Sequence, residues 1–337
     1  MFEILELQKK LCAAACPSGS EQSRIAKVLS ELARPLADEV ITDALGNVIC
    51  HKKGSGKKAM LAAHLDAVGF MVTGIDKDGF AEFTGIGGHT SAELIGCRVL
   101  FANGTRGVIR AKEKDETLSK HWNEIRYTDL YLDLAAADFA EAASLVGVGD
   151  LAVFEGEPKE VAGGRIMGPY ADDLIGCVVL LKAMEQLKKS DYDCYFVFTA
   201  QEEVTGRGAQ TAALGILPDI AIAVDVCSTH DTPEEDKQVT VLELGKGPTL
   251  KIKDYGVICS PALNARLRAI AETNGIAVQR EILIGGGTDT SDMQASRPNV
   301  EATCISIPTR HIHSPAEMFD PSDVEQAAKL LAAFLNQ

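Results

Sequence analysis

Apolar residues recur at helical spacing over 2–15 and 20–34, predicting two amphipathic helices with Ser18-Gly19-Ser20 as the cap region between them. Alternating strands follow near 37–42 and 46–51. The polar stretch Gly54-Ser55-Gly56-Lys57-Lys58 reads as a hairpin turn, because it lacks the spacing and the Ser/Thr of a phosphate loop. A buried strand, Ala59–Ala63, then runs into His64-Leu65-Asp66. From 67 to 163 the texture changes: short strands alternate with glycine turns, and one helix is predicted near 137–145. After Gly163-Gly164 long apolar strands and helices alternate at 172–189, 193–200, 206–215, 219–226, 260–274, 278–283, 288–296, 301–307 and 321–335. That alternation predicts a three-layer α/β/α domain made of 1–66 plus 164–337. The segment 67–163 is expected to be an inserted, small β-rich domain of barrel or PDZ-like type.

Composition narrows the class. The chain has 337 residues, 46% hydrophobic and 24% charged, enough apolar material for a large core. No apolar run reaches the roughly 18 residues of a membrane span. The first residues mix Glu3, Glu6, Lys9 and Lys10 into an amphipathic pattern, unlike a signal peptide, so a cytoplasmic protein without a membrane partner is expected. Nine cysteines, odd in number and without a C-x-x-C pair, read as reduced, packed thiols and not as a thiolate zinc site. A net charge of -15 argues against a nucleic-acid partner.

The chemistry lies at the ends of the apolar strands. One strand leads into His64 and Asp66, a second into Glu202-Glu203, a third into Asp225, and a fourth into Arg310, His311 and His313. Asp172-Asp173 opens a helix directly after a glycine-proline turn. Ligands of open α/β sheets gather outside the carboxyl ends of the strands, so these groups converge if the strands are neighbours. Any one of them alone is ordinarily a surface histidine or a helix or turn cap; the joint occurrence is what points to metal. Crowded carboxylates raise one another's pKa, and divalent cations remove that penalty. Mixed His/carboxylate ligation suits zinc, cobalt or manganese, and the number of ligands suits two ions sharing an aspartate. Gly285-Gly286-Gly287-Thr288-Asp289 reads as a close backbone approach to the same site.

These residues resemble the glutamyl-aminopeptidase-type and tetrahedral aminopeptidases, family forty-two of the co-catalytic metallopeptidases. The resemblance spans nearly the whole chain. It is carried by AAHLDAVGF at 62–70, VGVGD at 146–150, DDLIGC at 172–177, TAQEEVTGRGA at 199–209, GGGTD at 285–289 and PTRHIHSP at 308–315. It implies an aminopeptidase acting on short peptides with two divalent ions, most simply zinc or cobalt. It further implies Asp172 bridging the ions, His64 and Asp225 on one, Glu203 and His313 on the other, Glu202 as general base and acid, and Asp66 orienting the His64 imidazole. The insert would serve dimerisation, and the assembly would be a homo-oligomer, from dimer to tetrahedral dodecamer. Leu174, His311 and His89 depart from the family pattern, the first two expected near the cleft. A related two-metal deacylase or carboxypeptidase is the nearest alternative. A non-catalytic binding protein should have lost a ligand or Glu202, and a glycosidase carboxylate pair would not need two histidines.

Overall fold

The structure is a computed structural model describing residues 3–113, 122–233 and 241–336; Phe2, placed in the first helix by its sequence pattern, lies outside these residues. In chain order the strands are β1 (Glu39–Thr42), β2 (Val48–Lys52), β3 (Lys58–His64), β4 (Gly69–Ile75), β5 (Ala81–Ile86), β6 (Arg98–Phe101), β7 (Arg106–Ala111), β8 (Leu130–Asp133) and β9 (Leu151–Phe154). They continue as β10 (Lys159–Glu160), β11 (Ile166–Gly168), β12 (Asp193–Thr199), β13 (Ile220–Ser228), β14 (Thr249–Lys253), β15 (Gln279–Ile282), β16 (Glu301–Arg310) and β17 (Glu317–Phe319). The helices are α1 (Ile4–Cys12), α2 (Ile25–Ala33), α3 (Phe139–Leu145), α4 (Ala171–Gln186), α5 (Glu202–Thr205), α6 (Arg207–Ile216), α7 (Pro261–Thr273), α8 (Thr290–Gln294) and α9 (Pro321–Leu335).

Eleven strands form one sheet in the order β1-β2-β12-β3-β13-β16-β17-β11-β10, with β14 paired to β16 and β15 to β14. At its centre β12, β3, β13 and β16 are parallel neighbours, so their carboxyl ends open on one edge. Side chains alternate across this sheet. Leu61, Ala63, Phe196 and Phe198 face the core under α1, α4, α7 and α9, whereas Met60, Ala62 and Val197 face α6 and α8. α4 is buried from Ala171 to Met184, mostly apolar but for Asp172, Asp173 and Lys182, as befits a helix inside a layered core. Strands β4–β9 close into a separate six-stranded barrel, order β4-β5-β8-β7-β6-β9, packed around Phe70, Phe83 and Phe154. The large sheet resumes with β10, ahead of residue 163, the expected end of the insert.

Several local expectations need correction. Arg24, at φ -138, divides the second predicted helix into a 3-10 turn, Glu21–Ser23, and α2. Ser18 and Ser20 do not cap it; their hydroxyls donate to Asp66 and to the Pro17 carbonyl. The Gly54–Lys58 segment is not a hairpin, because β12 lies between β2 and β3. It instead crosses the start of β12, where a Cβ on Gly54 or Gly56 would strike the Asp191–Tyr192 backbone. All nine cysteines are free, and eight of them are buried. Among the described residues no helix is long and apolar enough to cross a membrane.

Candidate metal centre

The cleft over the carboxyl edge of the parallel strands has a volume of about 720 Å³, and His64, Asp172, Glu202, Glu203, Asp225 and His313 all line it. His64 is the last residue of β3, and in-register pairing with Thr199 brings it level with the end of β12. Glu202 and Glu203 start α5 just beyond β12. Asp225 is not at a strand end as expected: β13 runs on to Ser228, held in register against β16. Asp172 and Asp173 belong to α4 by hydrogen bonding yet have non-helical backbone, at ψ 112 and 34. Four non-glycine residues beside the site take left-handed backbone: Tyr170, Gln201, His311 and His313. Such conformations cost of order 1–3 kcal/mol each and concentrate at functional sites.

Asp172 stands between the two histidines. Its Oδ1 is 3.0 Å from His64 Nε2, and its Oδ2 is 3.2 Å from His313 Nε2. His313 Nε2 is also 3.2 Å from Glu203 Oε2. Ligand atoms about 2.1 Å from a tetrahedral ion lie roughly 3.4 Å from one another, so these separations fit donors converging on shared cations. Donor atoms of His64, Asp172 and Glu203, and likewise of His64, Asp173 and Asp225, fall within 4.8 Å of each other. Glu203 Oε1 is buried without any hydrogen-bond partner, as an atom reserved for a cation would be.

The electrostatics point the same way. Burial pushes the Asp225 carboxyl up to about 8, with Asp172 adding to it, and pushes Glu202 well above the carboxylate range against the pull of His64. Burial opposes charge on His313 as well, but its contacts with Asp172 and Glu203 outweigh this and take the imidazole up to about 12. Asp172 alone is lowered: the two histidine hydrogen bonds overcome its desolvation. Shifts in these directions favour protons on the imidazoles and carboxyls, and a donor set of this kind suits divalent cations that would replace them.

A support layer surrounds these residues. Both oxygens of buried Glu317 accept backbone N–H groups, from Asp172 at 2.9 Å and His313 at 2.8 Å. Asp66 is fully buried and accepts from Ser18 Oγ at 2.6 Å, Glu202 N at 3.1 Å and Glu203 N at 3.3 Å. His64 Nδ1 meets the Asp66 carbonyl at 3.0 Å, whereas the Asp66 carboxylate is 3.7 Å away. The imidazole is thus oriented chiefly by the backbone of Asp66, and the carboxylate mainly fixes the start of α5. Asp173 accepts the His64 N–H at 3.1 Å. Sequence reasoning gave no role to Glu317, whose only signal is a charged residue amid apolar ones in a short strand. Leu174 packs in the core with no exposure, away from the cleft lining. His311 is exposed on the turn after β16. His89 stacks on Phe70 with centroids 4.9 Å apart and meets Tyr127 Oη.

The family model for M42 glutamyl aminopeptidases matches residues 46–330. A chain from Acetivibrio thermocellus is 41% identical, over 98% of this chain and 97% of its own length. The lysyl aminopeptidase of Pyrococcus furiosus is 34% identical, over 98% and 96%. An aminopeptidase from the archaeon Desulfurococcus kamchatkensis superposes with a TM-score of 0.94 at 38% identity, covering 99% of this chain and 94% of that one. The TET1 peptidase of Pyrococcus horikoshii, which can assemble into a tetrahedron or a large octahedral shell, superposes with a TM-score of 0.88 at 31% identity over 99% of both chains. By sequence along most of its length and by fold, the chain belongs to the M42 glutamyl aminopeptidase family.

Proposed function

We propose that the chain removes N-terminal residues from short peptides by hydrolysis assisted by two divalent ions, zinc or cobalt. Asp172 would be the ligand shared by the two ions, with His64 and Asp225 holding one and Glu203 and His313 the other. The observation that carries this reading is Asp172 presenting one oxygen towards each histidine in a cleft otherwise crowded with carboxylates. When bound, the ions supply Lewis-acid polarisation, bringing the pKa of a water from about 15.7 towards about 7.

The chain's own groups do the rest. Glu202 is half-buried in the cleft wall and coordinates no ion in this scheme, so its carboxylate is free to take a proton from the attacking water. It then returns that proton to the leaving amine nitrogen. Asp66 holds the backbone of Glu202 and Glu203, so that these adjacent side chains keep different tasks. The barrel acts as a dimerisation domain, and subunits associate into a homo-oligomer, up to a tetrahedral dodecamer, in the cytoplasm. Glu202→Gln tests the scheme: it should retain both ions by native mass spectrometry while kcat falls by about 10²–10⁴-fold. A variant turning over at the wild-type rate would remove Glu202 from the reaction.

A further inference from the structure

Apart from the candidate ligands and Glu202, the described residues give the cleft one more charged wall residue, Asp292 on α8. It is half-buried, and its Oδ2 accepts from Ser291 Oγ at 3.2 Å. The carboxylate lies against Gly206, just past α5, where any Cβ would collide with it. Gly206 is itself left-handed, at φ 65, and in its present rotamer the acid occupies the space a side chain there would take. Among the described residues no Lys, Arg or His nitrogen forms an ion pair with Asp292. Arg207 is exposed and directs its guanidinium to Gln210. Burial raises the Asp292 pKa, with Ser291 and the field of Arg207 only opposing it. Among the described residues no lysine or arginine lines the cleft, and Val226, Tyr255, Leu283 and Ile312 supply apolar surface in it.

We infer that Asp292 selects peptides whose N-terminal side chain is basic, an inference that rests on the aminopeptidase reading. A lysine or arginine side chain needs two things: apolar walls for its methylene stem and an anion for its head. The cleft offers both, and an ammonium or guanidinium would give Asp292 a direct ion-pair partner, which no described residue supplies. An acidic N-terminal side chain would meet the Asp292 carboxylate here, with no lysine or arginine among the described lining residues to pair with it.

The test compares metal-loaded wild type and Asp292→Asn on the p-nitroanilides of lysine and norleucine, which differ by the terminal amino group. Wild type should prefer lysine by about tenfold in kcat/KM, the scale of one hydrogen bond to a charged group, and Asp292→Asn should lose that preference. Affinities of the Glu202→Gln protein for lysyl-alanine and norleucyl-alanine, by calorimetry, should show the same ratio. Equal kcat/KM for the two substrates in wild type overturns the inference, and needs no variant to fold. So does a preference that survives in Asp292→Asn, or a uniform loss on both substrates, which would assign Asp292 to the α-amino group or to structure. If wild type cleaves neither anilide, the aminopeptidase reading fails instead, and the calorimetric ratio still decides what Asp292 recognises.

Discussion

Replacing Glu317 by glutamine separates support of the metal centre from ligation itself. The side chain is 1% exposed, and each of its oxygens accepts one backbone N–H, from Asp172 and from His313. Glutamine keeps the shape but offers a single acceptor, so one of those N–H groups would face an NH₂ donor. A buried donor left unpaired costs about 1–3 kcal/mol. The cost falls where the backbone is already strained, since His313 is left-handed at φ 64 and Tyr170, also at φ 64, precedes the Asp172 segment. Burial and the nearby Asp172 raise the Glu317 pKa, but even a protonated carboxyl keeps a lone pair on its hydroxyl, which an amide NH₂ lacks. Relaxation must therefore shift Asp172 or His313, and outer-layer losses of this kind typically lower metal affinity about 10–100-fold. Titration against a competing chelator measures that affinity, and thermal denaturation with and without added metal measures the stability share. Glu317→Gln should lose affinity by that factor and gain less thermal protection from metal than wild type. Wild-type affinity together with an unchanged melting temperature would refute the reasoning, since the ligand backbones would then be held by something other than Glu317.

Metal binding should release protons, because in the cation-free site His313 is pushed up to about 12 and Asp225 up to about 8. Both groups hold protons below those values and, on the proposed ligation, would give them up to coordinate, so apparent affinity should rise with pH through neutrality. Calorimetry in buffers of different ionisation enthalpy reads this directly, and identical enthalpies in all buffers would contradict it. Gly208→Ala should destabilise the fold by roughly 1–3 kcal/mol, since a Cβ there would run into the Ala200 backbone and the Asn47 side chain at the end of β12. Chemical denaturation measures it, and a midpoint equal to wild type would show that the β12–α6 junction can give way.

Much of this architecture is legible in local pattern, and the failures share one cause. β3 and β12 read as buried strands because they are continuous apolar runs, and the polar residues closing them, His64 and Glu202-Glu203, stand out for that reason. Gly54–Lys58 misleads because its turn chemistry is local, whereas the placement of β12 between β2 and β3 comes from non-local parallel pairing. Asp225 appears to close its strand because a charge follows an apolar run. The ladder to β16 carries the strand through Ser228 because a neighbour supplies its hydrogen bonds. Glu317 is invisible for the same reason: its partners become reachable only when β17 pairs with β16 and β11. Asp289 is legible as the end of the GGGTD motif approaching the site, but its partner is not: buried at 2% exposure, it receives the Thr199 hydroxyl from the end of β12.

The left-handed residues bear on why this site sits where it does. Tyr170, Gln201 and His313 each adjoin or form part of the candidate centre; the first two turn the chain immediately ahead of a helix, and His313 lies in the turn between β16 and β17. A turn that tight directs Asp172, Glu202 and His313 back over the strand ends instead of out to solvent. Left-handed backbone costs non-glycine residues roughly 1–2 kcal/mol apiece, and like charges a few ångströms apart add roughly 4 kcal/mol per pair at a surface-like dielectric. Both penalties fall on the lip of a sheet whose central strands and covering helix α4 are buried almost throughout. Buried apolar surface contributes about 25 cal/mol per Å², so a core of this size can offset several strained turns without losing its order. What it cannot offset locally is the carboxylate repulsion, because no apolar contact supplies positive charge. That deficit in the cleft must be met by positive charge, from protons on His313 and the carboxyls or from divalent cations that would displace them.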